Sequence, residues 1–86
     1  MAEYAVVFAR SARKELEALA EPLWSRVLGR IESLGRTPRP TGCRKLAGAT
    51  SLWRIRIGDY RVLYAVDDHA RLIDVIAVRH RREAYR

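Results

Sequence analysis

The sequence predicts a small α+β domain, an antiparallel sheet with an αα-hairpin packed on one face, in the order β-α-α-β-β-β. Three observations predict it. Apolar residues recur at helical spacing over 12–34, they alternate with polar ones from residue 52 onward, and Gly58-Asp59 interrupts that alternation where a strand would reverse. The 86 residues suit one domain, 1–86, whose core is too small for a large internal cavity, so its chemistry is expected on an open face.

Residues 4–9, YAVVFA, are β-branched and aromatic enough for a first strand. Ser11 is a candidate N-cap for a first helix of two to three turns, with Ala12, Leu16 and Leu19 on its apolar side. Pro22 suits the first turn of a second helix. Its stripe is Leu23, Val27, Ile31 and Leu34, widened by Trp24 and Leu28. Gly35 stands where a left-handed cap is expected, and Pro38 and Pro40 prevent continuation. Residues 36–51 carry Pro, Gly, Thr and Ser and form a basic connecting segment that includes Arg44 and Lys45. Strands are expected at 52–57, 60–67 and 71–79, the last two joined by Asp67-Asp68-His69-Ala70.

Composition narrows the function. No apolar run approaches the ~20 residues that span a bilayer, and MAEYAVVFAR lacks the pattern of a signal peptide, so a cytoplasmic location without a membrane partner is expected. The single cysteine, Cys43, excludes an intramolecular disulfide, and with only His69 and His80 as other soft ligands a structural zinc is not expected. Phosphate-loop, dinucleotide and zincin motifs do not occur. Seventeen Lys and Arg against ten Asp and Glu give +7, and most of the seventeen are Arg, whose planar fork suits phosphate. A polyanionic partner is favoured, with nucleic acid the commonest kind.

The stretch LWRIRIGDYRVLYAV, 52–66, concentrates that charge. If Gly58-Asp59 is a two-residue type II′ loop, Ile57 pairs with Tyr60, Arg56 with Arg61, Ile55 with Val62 and Arg54 with Leu63. Paired residues share a face, so Trp53, Ile55, Ile57, Tyr60, Val62, Tyr64 and Val66 lie on one side, and Leu52, Arg54, Arg56, Arg61, Leu63 and Ala65 on the other. Like charges opposed across strands repel, and an anion would relieve the repulsion. The closing VRHRREAYR, 78–86, adds Arg79, His80, Arg81, Arg82 and Tyr85, which a folded-back tail would bring to the same face as phosphate clamp and stacking ring.

The element order, the opening YAVVFARSARKELEAL, the middle P-R-P-x-G-x-R-K-L-A-G, the hairpin and the closing segment together resemble the RelE toxins of the RelE/ParE superfamily, over essentially the whole chain. The resemblance implies a microbial-RNase-like toxin fold and a ribosome-dependent mRNA endoribonuclease. It also implies a cognate antitoxin that inactivates the toxin and, as a complex, represses its own operon. Ribosome and mRNA are then partners, and operator DNA is one only through the antitoxin complex. The related ParE toxins share the fold but act on DNA gyrase and lack the full set of RNase residues.

Carried over by position, the resemblance assigns catalysis to Arg54 and Arg56, where the best-known relatives have lysines, and to Arg61, Arg81 and Tyr85. His80 is added as a neutral-pH proton donor, and Arg44, Lys45, Arg79 and Arg82 as RNA-binding residues. The implied mechanism needs neither metal nor cofactor. Tyr85 would serve as base or stacking ring, the arginines would stabilise the phosphorane, and Arg81 or His80 would assist the leaving 5′-oxygen. Arginine is effectively always protonated, so Arg54 and Arg56 serve as charges rather than as acids or bases.

Overall fold

Strand β1 (Ala5–Phe8) runs directly into helix α1 (Arg10–Glu17), which is followed by helix α2 (Leu23–Ser33), a short strand β2 (Arg44–Lys45), and the meander β3 (Leu52–Ile57), β4 (Tyr60–Asp67) and β5 (Leu72–His80). This computed structural model describes residues 3–46, 48 and 51–82. The five strands form one sheet in the order β1-β5-β4-β3-β2. It is antiparallel except between β1 and β5, which run parallel from Ala5 opposite Leu72 to Phe8 opposite Val75.

The helices cover one face, α1 against β5 and α2 against β3. Ala12 and Leu16 from α1, Val27 and Ile31 from α2, and Leu34 just beyond it meet Ile55, Ile57, Val62, Tyr64, Val66, Ile73, Val75 and Val78 in one core. Each fully buried aliphatic side chain contributes about 1.5–3 kcal/mol. These sheet residues are the side of the hairpin expected to face inward, with Trp53 and Tyr60 half-buried at its margins. The buried Tyr64 hydroxyl donates to the Pro38 carbonyl at 2.7 Å, and burial pushes its pKa up, so it serves structure as a neutral phenol.

Four local expectations change. Helix α1 is capped by Ala9 rather than Ser11, because Ala9 ends the strand pairing (its N–H donates to Val75 C=O at 2.8 Å) while its own carbonyl accepts the first helical bond from Arg13 at 3.0 Å. Pro22 precedes α2 instead of sitting in its first turn, and the Glu21 carboxylate accepts bonds from the Ser25 N–H and hydroxyl at 3.1 and 2.6 Å. Gly35 is not in the left-handed region; it is glycine because a Cβ there would lie 2.9 Å from the Tyr4 carbonyl oxygen and 3.3 Å from that of Glu32. The basic segment contains β2, whose Arg44 and Lys45 pair with Arg54 and Trp53. A two-residue strand with both side chains charged and exposed has no apolar alternation to announce it, and it protects the sheet edge.

A second device ties the periphery together. The Arg39 guanidinium holds the Asp68 carboxylate through two nitrogens, at 3.2 and 2.7 Å, and the Tyr4 hydroxyl donates to the same carboxylate at 2.6 Å. Arg39 also lies 5.1 Å above the Trp53 ring. The approach to β1, the segment after α2 and the β4–β5 turn are thereby joined. In that turn Asp67 accepts the Ala70 N–H at 2.9 Å and Arg71 takes a φ of 56°.

Candidate active site

The β3–β4 hairpin has the register its sequence predicts, with Ile57 opposite Tyr60, Arg56 opposite Arg61, Ile55 opposite Val62 and Arg54 opposite Leu63. Gly58 has a φ of 59° and Asp59 does not share the positive sign, as a type II′ loop requires. Across the next pair of strands Arg61 stands opposite Arg79. Arg56, Arg61 and Arg79 therefore occupy one row on the face the helices leave uncovered, with strand spacings of about 4.8 Å.

A bulge makes this row. Leu63 pairs with Ala77 but Tyr64 pairs with Val75, leaving Ile76 as an extra residue. Strict alternation from Ile73 and Val75 would carry Ala77 and Arg79 to the core side. The extra residue instead keeps Val78 in the core and brings Arg79 into line with Arg61. Arg79 is then drawn toward the sheet edge, where its Nε–H donates to Glu15 at 3.3 Å, while the other Glu15 oxygen accepts the Val78 N–H at 2.9 Å.

At the hairpin tip the row opens into a concavity of about 430 Å³ lined by Arg56, Gly58, Asp59, Tyr60, Arg61, Arg81 and Arg82. That size suits a small-ligand cleft. Arg81 is held there because its N–H donates to the Asp59 carbonyl at 2.7 Å. Arg61 forms part of the wall at 5% exposure, the one buried charged residue among the described residues. A guanidinium keeps its charge at any working pH, and with less water around it attracts an anion more strongly than an exposed one does.

The structure thus brings Arg56, Arg61, Arg81 and Arg82 together. Arg54 lies two positions along the same face, half-buried, with Arg44 opposite it on β2. Two expected site residues are set apart. Lys45 pairs with Trp53, and His80 with Tyr60, so both belong to the opposite face of the sheet. The His80 ring meets Tyr60 edge-on, with centroids 5.3 Å apart, and does not line the concavity. Tyr85 lies outside the described residues. Sequence reasoning missed Asp59, whose signal was hidden in its turn role: it is the one carboxylate among the described lining residues, and its carbonyl holds Arg81.

Four cationic side chains against one carboxylate can bind a phosphodiester and stabilise charge that develops on it. No group of three or more His, Cys, Asp or Glu able to hold a metal ion occurs among the described residues, and no helix there is long and apolar enough to cross a membrane.

Comparison with known proteins agrees with this fold. The family described as the ParE toxin of the type II toxin–antitoxin system, parDE, matches residues 6–85. The chain is similar to toxin RelG of Mycobacterium tuberculosis, at 34% identity over 87 aligned positions that cover 96% of this chain and 97% of that protein. Among solved structures it resembles the archaeal RelE–RelB complex from Pyrococcus horikoshii, with a TM-score of 0.82 and 30% identity over 92% of this chain and 96% of that one. It also resembles the intact E. coli RelBE toxin–antitoxin complex, with a TM-score of 0.76 and 26% identity over 87% and 93%.

Proposed function

The chain belongs to the RelE/ParE superfamily of type II toxin–antitoxin toxins, and from that premise we propose that it is a ribosome-dependent mRNA endoribonuclease that stops translation in the cytoplasm. The observation that carries this reading is the meeting of Arg56, Arg61 and Arg81 around one concavity at the hairpin tip. Solved RelE–RelB complexes support a cognate antitoxin as partner, through which operator DNA would be bound.

In the proposed reaction the 2′-hydroxyl of one nucleotide loses its proton and attacks the adjacent phosphorus. The bond from phosphorus to the next 5′-oxygen breaks, and that oxygen takes up a proton, leaving a 2′,3′-cyclic phosphate and a 5′-hydroxyl. Arg61 and Arg56, with Arg54 beside them, stabilise the charge gathering on the phosphorane. Arg81 faces the departing oxygen. Tyr85 is the proposed proton acceptor or stacking ring, a role carried by the resemblance alone. Arg44, Arg79 and Arg82 hold the flanking backbone. Arginines supply charge without exchanging protons, so the ribosome contributes by orienting the message, where proximity effects are large.

The test is to add the protein to purified translating ribosomes carrying a defined mRNA and map the new 5′ ends. New 5′ ends that appear only when ribosomes are present support the reading. Intact message, with inhibition of gyrase supercoiling in a parallel assay, overturns it in favour of a ParE-like toxin without nuclease activity. That second reading is favoured by the match to the ParE toxin family and by arginines at 54 and 56, where the best-known RelE relatives carry lysine.

A further inference from the structure

We propose that His80 is a positioning residue, which sets the turn that carries Arg81 and Arg82 to the hairpin tip by accepting a hydrogen bond at Nδ1. Strand β5 ends at His80, and the next two residues must leave the sheet yet stay against the β3–β4 loop. Arg79, Arg81 and Arg82 repel one another, so this return needs fixed contacts. Two are present, one on each residue. The Arg81 N–H donates to the Asp59 carbonyl at 2.7 Å, and the Arg82 N–H donates to His80 Nδ1 at 3.3 Å. The ring that accepts the second bond is itself placed by Tyr60, which it meets at 85°. His80 therefore acts from the opposite face of the sheet and touches none of the reacting atoms.

The chemistry fixes the tautomer. Nδ1 can accept only with its lone pair free, so the ring proton belongs on Nε2. It also fixes which substitution preserves the role. The Oδ1 of asparagine stands as many bonds from the backbone as Nδ1 does, whereas the Oε1 of glutamine reaches as far as Nε2. His80→Asn should keep the turn, and His80→Gln and His80→Ala should lose it. A hydrogen bond made through Nε2 instead would show the reverse order.

The experiment has two arms, of which only the second rests on the RNA-binding reading above. In the free protein, NMR of the imidazole nitrogens is expected to show an unprotonated Nδ1. The Arg82 amide should exchange slowly in wild type and His80→Asn and quickly in His80→Gln and His80→Ala. In the second arm, fluorescence anisotropy with a 2′-O-methyl RNA oligonucleotide is expected to show binding weakened up to about tenfold in the Gln and Ala variants, the scale of one lost hydrogen bond. The Asn variant should bind like wild type. Equal Arg82 exchange in all four proteins, or rescue by Gln and not by Asn, overturns the proposal. If wild type binds no RNA, the proposed function fails while the exchange arm still decides the role of His80. Thermal melts of all three variants show which keep the fold, and the comparison of Asn with Gln decides the matter if His80→Ala does not.

Discussion

Arg56 and Arg61 face each other across the β3–β4 hairpin, and of the two only Arg61 is buried, at 5% exposure against an exposed Arg56. Burial reduces screening around Arg61, while water and salt dilute the field of Arg56. In single-turnover cleavage on the ribosome, Arg61→Ala is expected to lose about 10²- to 10³-fold, as when a preorganised charge donor is removed from a reacting centre. Arg56→Ala should lose about tenfold or less. Arg61→Lys should recover little, because a point charge lacks the planar fork. Equal losses for Arg56→Ala and Arg61→Ala would show that the buried member has no special part.

The four arginines that line the concavity predict a salt dependence. Each phosphate contact on single-stranded RNA contributes about −0.7 to the slope of log K against log salt. Binding of a non-cleavable oligonucleotide, titrated over a range of salt concentrations, should therefore flatten by about 0.7 in Arg82→Ala. An unchanged slope with unchanged affinity would remove Arg82 from the RNA path.

The Asp68 carboxyl is held below its ordinary range, first by the hydrogen bond from Arg39 and then by that from Tyr4. A depressed folded-state pKa gives stability that is present above the unfolded value, about 3.9, and lost as pH falls through the folded one. Wild type should therefore melt above Asp68→Asn near neutrality, with the gap closing below about pH 4. Melting curves for the two proteins between pH 7 and pH 2 provide the check. A gap that stays constant across that range would mean that the clamp stabilises through something other than charge.

Gly35→Ala should destabilise the protein by about 1–3 kcal/mol, the scale of inserting a methyl group into a filled site. The two atoms that the new Cβ would crowd, under 3.4 Å, are carbonyl oxygens of the backbone, so neither can turn aside as a flexible side chain would; the Val6 methyl at 3.7 Å is in ordinary contact. Urea denaturation measures the loss. Gly29→Ala is the control, because a Cβ there meets nothing within 4 Å and alanine favours the helix.

The hairpin was legible in the sequence because a two-residue loop leaves one register, and the register decides which side every residue from Leu52 to Val66 takes. The helices were legible as stripes, though their first residues were not. Ser11 has the chemistry of a cap, but the bond from Ala9 to Val75 sets the start of α1 earlier, and pairing between strands far apart in the chain leaves no local trace. The parallel partner of β1 was hidden for the same reason. At the site, adjacency in sequence suggested that His80 and Arg81 act together. The bulge at Ile76 and the Tyr60 pairing put the His80 position on the opposite side of the sheet from Arg61, and a period of two cannot register one extra residue.

Strand β5 lies between β1 and β4, yet it is made after every other element described. During synthesis β1 and α1 emerge early and wait for the strand against which they pack. Arg79 and Arg81 arrive with that same late segment, so an incomplete chain has neither the finished sheet nor the finished concavity. The order of synthesis thus sets the order of assembly: a protein proposed to attack messages on ribosomes gains its cutting surface only once β5 and the turn after it have been made.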